Sequence, residues 1–232
     1  MRLLFIFFFG IIFSSAPLIA QADINQLDAQ GNRHGLWKKM HPGNKQIRYE
    51  GTFDHGKEVG TFKFYCEDCK NQPMVIKEFN TRDAVADVQY FTVKGKLVSE
   101  GKMDGKNRVG EWLYYQKKSK TVMTRENYNN GNLDGQKITY YPDGKITEEI
   151  TYVNGSKEGP NNYYSPIGVL LKKLNYKNDA LQGEAMYYDS SGNVTIEGQY
   201  KKGKKDGLWK YYKNGKVELE ETYPKPLNIV EN

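Results

Sequence analysis

The feature that most constrains this chain is a repeat. Three segments share one frame: Gly35-Leu-Trp-Lys-Lys-Met, Gly110-Glu-Trp-Leu-Tyr-Tyr and Gly207-Leu-Trp-Lys-Tyr-Tyr. The frame returns at Gly60, Gly135, Gly159 and Gly183, and a degenerate copy starts near Ala86 with Tyr90-Phe91 in the paired aromatic slot. Eight starts spaced by about 24 residues mark a tandem array of small supersecondary units.

Each unit has the same internal grammar. A short aromatic run such as Trp209-Lys210-Tyr211-Tyr212 favours a strand. A turn follows, as at Asp143-Gly144, Ser191-Gly192 or Asn214-Gly215, where Gly and Asn tolerate the positive φ of tight hairpins. A second strand ends on a large residue: Phe53, Phe79, Met103, Tyr128, Tyr152, Tyr176, Tyr200 or Tyr223. Another turn, such as Asn130-Gly131, leads to the next anchoring Gly. No 3.6-residue apolar period is sustained, so helices are not expected. The reading is all-β: an elongated antiparallel meander of about eight tandem hairpins in a twisted single-layer ribbon, of sixteen strands and roughly 70–75 Å.

The pattern Gly-x-Trp-x-Tyr-Tyr, Asn-Gly-Lys, Glu-x-x-Tyr and Asn-Gly resembles the MORN-repeat family, and more closely the bacterial MORN variant labelled antitoxin-like. The resemblance covers roughly Gly31 to Tyr223. It implies an interaction or scaffold module, with membrane-lipid binding proposed for some members. Unit three departs from the pattern by lacking the anchoring Gly, and unit two by an insertion with two Cys.

The remaining segments follow. Residues 1–22 read as a secretory signal: Arg2, an apolar run from Leu3 to Phe13, and Ala20-Gln21-Ala22 as the cleavage site. The competing reading, an uncleaved anchor, has too short an apolar run for a comfortable membrane span. Residues 23–30 read as an N-terminal linker, 31–223 as the repeats and 224–232 as a C-terminal tail. The chain is therefore expected to be exported, to the periplasm or beyond.

Among side chains that could carry chemistry, Cys66 and Cys69 are the only cysteines. They stand where other units place a turn, and positions i and i+3 of a β-turn lie within disulfide reach. Export favours the bridge. Free thiols, a metal site and a redox pair are the other readings, the last two lacking further ligands and a helix N-terminus respectively. His34, His41 and His55 read as solvated residues at or beside turns, so no metal site is expected. The column Glu50, Glu100, Glu149, Glu197 and Glu220 reads as a solvated stripe or a set of cross-strand Lys partners rather than acid–base machinery. No catalytic residue, cofactor site or small-molecule substrate is expected.

Two aromatic columns lie on opposite faces. One is the slot four after the anchor: Phe64, Tyr90, Tyr114, Tyr163, Tyr187 and Tyr211. The other is the slot five after it, whose middle members are Tyr115, Tyr140, Tyr164 and Tyr188. One column closes the core. Tyr115, Tyr140, Tyr164 and Tyr188 are the candidate contacts for a protein partner, set against a purely structural use of those rings. The second reading is a peripheral binder of anionic lipid or polysaccharide at the cell envelope, and a lower one an antitoxin-like protein. Net charge is +6, but both signs are interleaved along the chain, so nucleic acid is not expected as a partner. The mature protein should begin at Asp23. An intact mass that retains Met1 would overturn the cleavage reading.

Overall fold

The computed structural model describes residues 23–225, apart from Lys70 and Thr81. Residues 1–22, read above as a secretory signal, and most of the segment read as a tail, from residue 226, lie outside the described residues. The described chain forms one antiparallel sheet of 19 strands in which chain neighbours are sheet neighbours. The first strand, Gln26–Leu27, pairs with Arg33–Met40, and the last, Lys216–Tyr223, with Lys204–Lys213. These two ends do not pair with one another, so the meander is not closed into a barrel. Three strands exceed the sixteen expected. Gln26–Leu27 lies in the stretch read as a linker. Two long strands are each split, by Asp134 between Asn132–Leu133 and Gly135–Tyr140, and by Gln182 between Ala180–Leu181 and Gly183–Tyr188.

The repeat frame is a register. In all eight hairpins the anchor faces the closing residue: Gly35 faces Phe53, Gly60 faces Phe79 and Ala86 faces Met103. Gly110 and Tyr128, Gly135 and Tyr152, Gly159 and Tyr176, Gly183 and Tyr200, and Gly207 and Tyr223 do the same. The seven anchoring glycines have positive φ, for example 65° at Gly110, a conformation that L side chains rarely adopt. Unit three has Ala86 there instead, and its strand Val85–Phe91 pairs with Val75–Phe79 without the register shift found between Ile47–Asp54 and Lys57–Phe64. The missing Gly and the regular ladder are one observation: without the left-handed residue the bulge does not form.

The core lies on one face. Its centre is the position two after each anchor: Trp37, Phe62, Val88, Trp112, Lys137, Asn161, Ala185 and Trp209. Trp112 is 0% exposed and Trp209 is 1% exposed. One cluster gathers Ala86, Val88 and Trp112 with Phe79, Tyr90, Met103, Tyr114 and Tyr128 around them. A second gathers Leu174, Ala185 and Trp209 with Tyr163, Tyr187, Tyr200, Tyr211 and Tyr223. The column four after the anchor is thus the core column, beside the closing aromatics. Burying one large ring removes about 150–250 Å² from water, on the order of 4–6 kcal/mol of transfer free energy.

A single layer has no second sheet to cover such rings, so they lie on the backbone of the preceding strand. Phe62 lies over Gly51, Trp112 over Gly101 and Trp209 over Gly198. A Cβ built at these glycines would stand 2.4, 2.5 and 2.3 Å from the ring. The indole N–H of Trp112 donates to the Lys102 carbonyl (3.0 Å), and that of Trp209 to the Gln199 carbonyl (3.1 Å), so the rings bury no unpaired donor. Cations cover the outer side of the rings: Arg33 over Trp37 at 5.0 Å, Arg108 over Trp112 at 4.6 Å and Lys205 over Trp209 at 4.3 Å. Each stands two residues before an anchoring Gly, a regularity that the sequence reading passed over.

The G101A substitution should destabilise the protein by about 1–3 kcal/mol, the usual range for overpacking, because the Trp112 ring occupies the space of the new methyl. Urea denaturation of the variant beside the parent checks this. An unchanged midpoint would mean that the ring does not rest on Gly101.

Candidate interaction surface

Residues paired directly across strands share a face. The face opposite the core carries a row that runs Lys38, Glu50, Lys63 and, after Ile76, Gln89, Glu100 and Leu113. It continues through Arg125, Ile138, Glu149, Asn162, Lys173, Met186, Glu197, Lys210 and Glu220. The acidic column lies here, as its odd offset from the closing aromatic requires. Glu50 pairs with Lys38 at 3.1 Å and Glu197 with Lys210 at 3.4 Å, while Gln89 donates to Glu100 at 2.9 Å. Such half-exposed pairs are worth little singly. Their role is positional.

The column five after the anchor is fixed to these carboxylates. The Tyr65 hydroxyl donates to Glu50 (2.8 Å), Tyr164 to Glu149 (2.9 Å) and Tyr212 to Glu197 (2.6 Å), and Tyr115 donates to Glu100. These bonds put the column on the outer face, opposite the rings of the core. The four candidate contacts are all half-buried, but their hydroxyls differ. Tyr115 and Tyr164 are tied to carboxylates. Tyr188 reaches only the Met186 sulfur at 3.4 Å, and the Tyr140 hydroxyl makes no hydrogen bond among the described residues.

Beside this column the row changes character along the sheet. Toward its ends the slot three after the anchor holds Lys38, Lys63, Gln89 and Lys210. In the middle it holds Leu113, Ile138, Asn162 and Met186. The core face changes in the opposite sense at the same place. Lys137 and Asn161 stand where the flanking units have Trp112 and Trp209. Lys137 pairs with Glu126 at 2.9 Å, and Glu126 also accepts from the Tyr128 hydroxyl at 2.7 Å. Asn161 donates to Glu148 at 2.9 Å, while its Oδ1 is buried without a partner. This polar break escaped the sequence reading, which followed the aromatic slots and not the slot two after the anchor.

Cys66 and Cys69 are joined in a disulfide, with Cα atoms 5.1 Å apart across the turn closed by Cys69 N–H and the Cys66 carbonyl. Both sulfurs are in that bond, so neither thiolate is available to a metal or a substrate. The histidines depart from the reading as turn residues in one respect: His34 is in the strand Arg33–Met40, and it stands beside His55. His41 contacts the Tyr65 carbonyl at 3.0 Å.

Burial and the adjacent carboxylate push the Tyr65 and Tyr115 hydroxyls up from their ordinary value of 10.0 to about 12. A raised folded-state pKa means that the folded protein holds the phenolic proton more tightly than the unfolded chain does. The corresponding stabilisation is complete below pH 10 and is lost as pH rises toward 12. An ultraviolet titration should therefore show a class of tyrosines that ionises late, together with loss of β structure. Ionisation of all of them near pH 10 with the fold intact would contradict the hydroxyl–carboxylate pairs.

A search of curated proteins finds no match. The family described as the MORN repeat variant matches residues 133–154, 181–202 and 205–223. Each matched segment begins two residues before an anchoring Gly (Gly135, Gly183 and Gly207) and runs to or just past a closing Tyr (Tyr152, Tyr200 and Tyr223). The units starting at Gly35, Gly60, Ala86, Gly110 and Gly159 lie outside the matches but share the hairpin register. These matches identify three repeats of the MORN repeat variant within residues 133–223.

Proposed function

We propose that this protein is an exported, non-catalytic binding module that holds a protein partner along the outer face of its sheet, centred on Tyr115, Tyr140, Tyr164 and Tyr188. The observation that carries the reading is the change along the outer row. Leu113, Ile138 and Met186 replace lysine or glutamine beside Tyr115, Tyr140 and Tyr188, and Asn162 does so beside Tyr164. Half-buried tyrosines beside aliphatic side chains, edged by Glu and Lys, have the composition of an interface core with a charged rim. Tyr offers large contact area at low side-chain entropy cost.

An anionic lipid or polysaccharide is the alternative occupant. It is less well supported, because Arg33, Arg108, Lys157 and Lys205 are drawn onto ring faces of the core side. Ionic strength separates the two readings: contacts made by scattered lysines weaken steeply with salt, whereas a Tyr-centred protein contact persists. Export is part of the proposal and rests on the segment before Asp23 alone. An antitoxin role fits poorly with export.

The partner is obtained by crosslinking and capture from the native cell envelope. Replacing Tyr140 and Tyr188 with Ala removes two rings whose hydroxyls hold no carboxylate, so the sheet should stay folded. Capture should weaken at least about tenfold, near 1.4 kcal/mol. Circular dichroism and melting accompany the measurement. A folded variant that binds like the parent would overturn the assignment of this face.

A further inference from the structure

The first hairpin holds a side-chain cluster found in no other unit among the described residues. The shared register sets Gly35 opposite Phe53, and one step further it brings His34 to Asp54. The turn then adds His55, whose φ is 44°. His34 Nδ1 lies 3.7 Å from Asp54 Oδ1, and His55 Nε2 lies 3.9 Å from the same oxygen. One donor atom from each of the three residues falls within 4.8 Å of the others. The corresponding positions are Val109, Asn129 and Asn130 in the fourth unit, and Gln182, Lys201 and Lys202 in the seventh. The cluster is therefore not a by-product of the repeat.

A second observation concerns the other nitrogen of His55. Its Nδ1 lies 2.7 Å from Asp28 Oδ2. The Asp28 side chain is only 6% exposed although the ring it holds is 62% exposed. Asp28 is itself fixed by the backbone N–H groups of Gln30 (3.0 Å) and Asn32 (2.7 Å) and by the Asn32 side-chain amide (3.2 Å). A carboxylate that accepts Nδ1–H leaves the Nε2 lone pair pointing into the cluster. His34 Nδ1 accepts the His55 backbone N–H at 3.4 Å, so Nδ1 is the unprotonated nitrogen of that ring and has to exchange this long bond for a metal bond. A carboxylate behind a histidine that faces further ligands is the usual outer-shell arrangement of a metal site.

We propose that His34 Nδ1, Asp54 Oδ1 and His55 Nε2 bind a divalent transition-metal ion, for which Zn2+ is the best match, with Asp28 as the positioning carboxylate. Two imidazoles and one carboxylate suit zinc, copper or nickel, whereas Mg2+ and Ca2+ take oxygen ligands. Tetrahedral zinc with bonds of about 2.0–2.1 Å needs ligand atoms about 3.3 Å apart. The three donor atoms lie within 4.8 Å of one another, with His–Asp gaps of 3.7 and 3.9 Å, and rotations of these exposed side chains would bring them to bonding distance. Three protein ligands leave the fourth position to water. The local charge favours a dication, since Asp54 would face it and the Asp28 carboxylate stands behind His55. The nearest cation of the hairpin start, Arg33, is engaged on the rings of Trp37 and Phe53 at 5.0 and 5.1 Å.

The proposal is tested by equilibrium dialysis of the untagged mature protein against Zn2+, with Co2+ as the spectroscopic probe. One ion should bind per chain, and Co2+ should give the strong visible bands of a four-coordinate site. H34A, H55A and D54N should each weaken Zn2+ binding at least about tenfold, and D28N by about 10–100-fold with a changed Co2+ spectrum. H41A should bind like the parent, and neither Mg2+ nor Ca2+ should displace the ion. Circular dichroism of each variant confirms that the hairpin is intact. Absence of Zn2+ uptake by the parent would overturn the proposal and leave Asp28–His55 as a turn contact. So would unchanged binding when His34 and His55 are replaced together.

Discussion

The contact on which this sheet depends is a ring laid across a glycine of the neighbouring strand. A sheet of one layer has two faces in water and no opposing layer, so its apolar residues must find cover within the same face. Trp112 on Gly101 and Trp209 on Gly198 solve this by close approach, with the indole N–H carried to a backbone carbonyl and a cation on the exposed side. The contact joins one hairpin to the preceding one. Cohesion along the ribbon is therefore built from nearest-neighbour terms, as in other repeat architectures.

This contact explains why the frame was legible and the core was not. Anchoring glycines and closing aromatics keep their identity from unit to unit, because a positive φ and a large facing residue have few solutions. They stand out as repeated letters and fixed all eight registers. The slot two after the anchor keeps its place but not its identity. What fits there is set by the residue below it on the preceding strand: a ring over Gly, Ala185 against Leu174, Lys137 against Glu126. Complementarity across a strand pair is invisible to a search for repeated letters. Alternation alone does put the two aromatic columns on opposite faces, but which of them is core follows only from the packing.

The histidines failed to stand out for a related reason. His34 and His55 are 21 positions apart, and only the turn and register together make them neighbours. Asp28 lies earlier still, in a stretch that reads as a linker and folds as the turn after Gln26–Leu27. The disulfide was legible because both partners belong to one turn, where spacing in sequence is spacing in space. Local geometry can be read from a sequence; contacts between elements require the register first.

The two faces exchange character in the same segment. Where Lys137 and Asn161 interrupt the core column, the outer row holds Ile138 and Asn162, with Leu113 and Met186 in the units on either side. On the core side this leaves a buried Asn161 oxygen without a partner, a loss on the order of 1–3 kcal/mol relative to a satisfied group. The two Trp clusters, around Trp112 and Trp209, flank this segment and hold it between them. A repeat array can carry such a unit because each hairpin needs only its neighbours, so the weakest packing is placed between the strongest. On the proposed function, the same segment presents the apolar outer side chains, and a partner laid across them would supply from outside the burial that the core side lacks. Tyr140 and Tyr164 stand in the units whose core slot is polar, and Tyr115 and Tyr188 in the units next to them, so the candidate surface is centred on the polar break and reaches one unit beyond it on either side, onto the strand that carries Trp112.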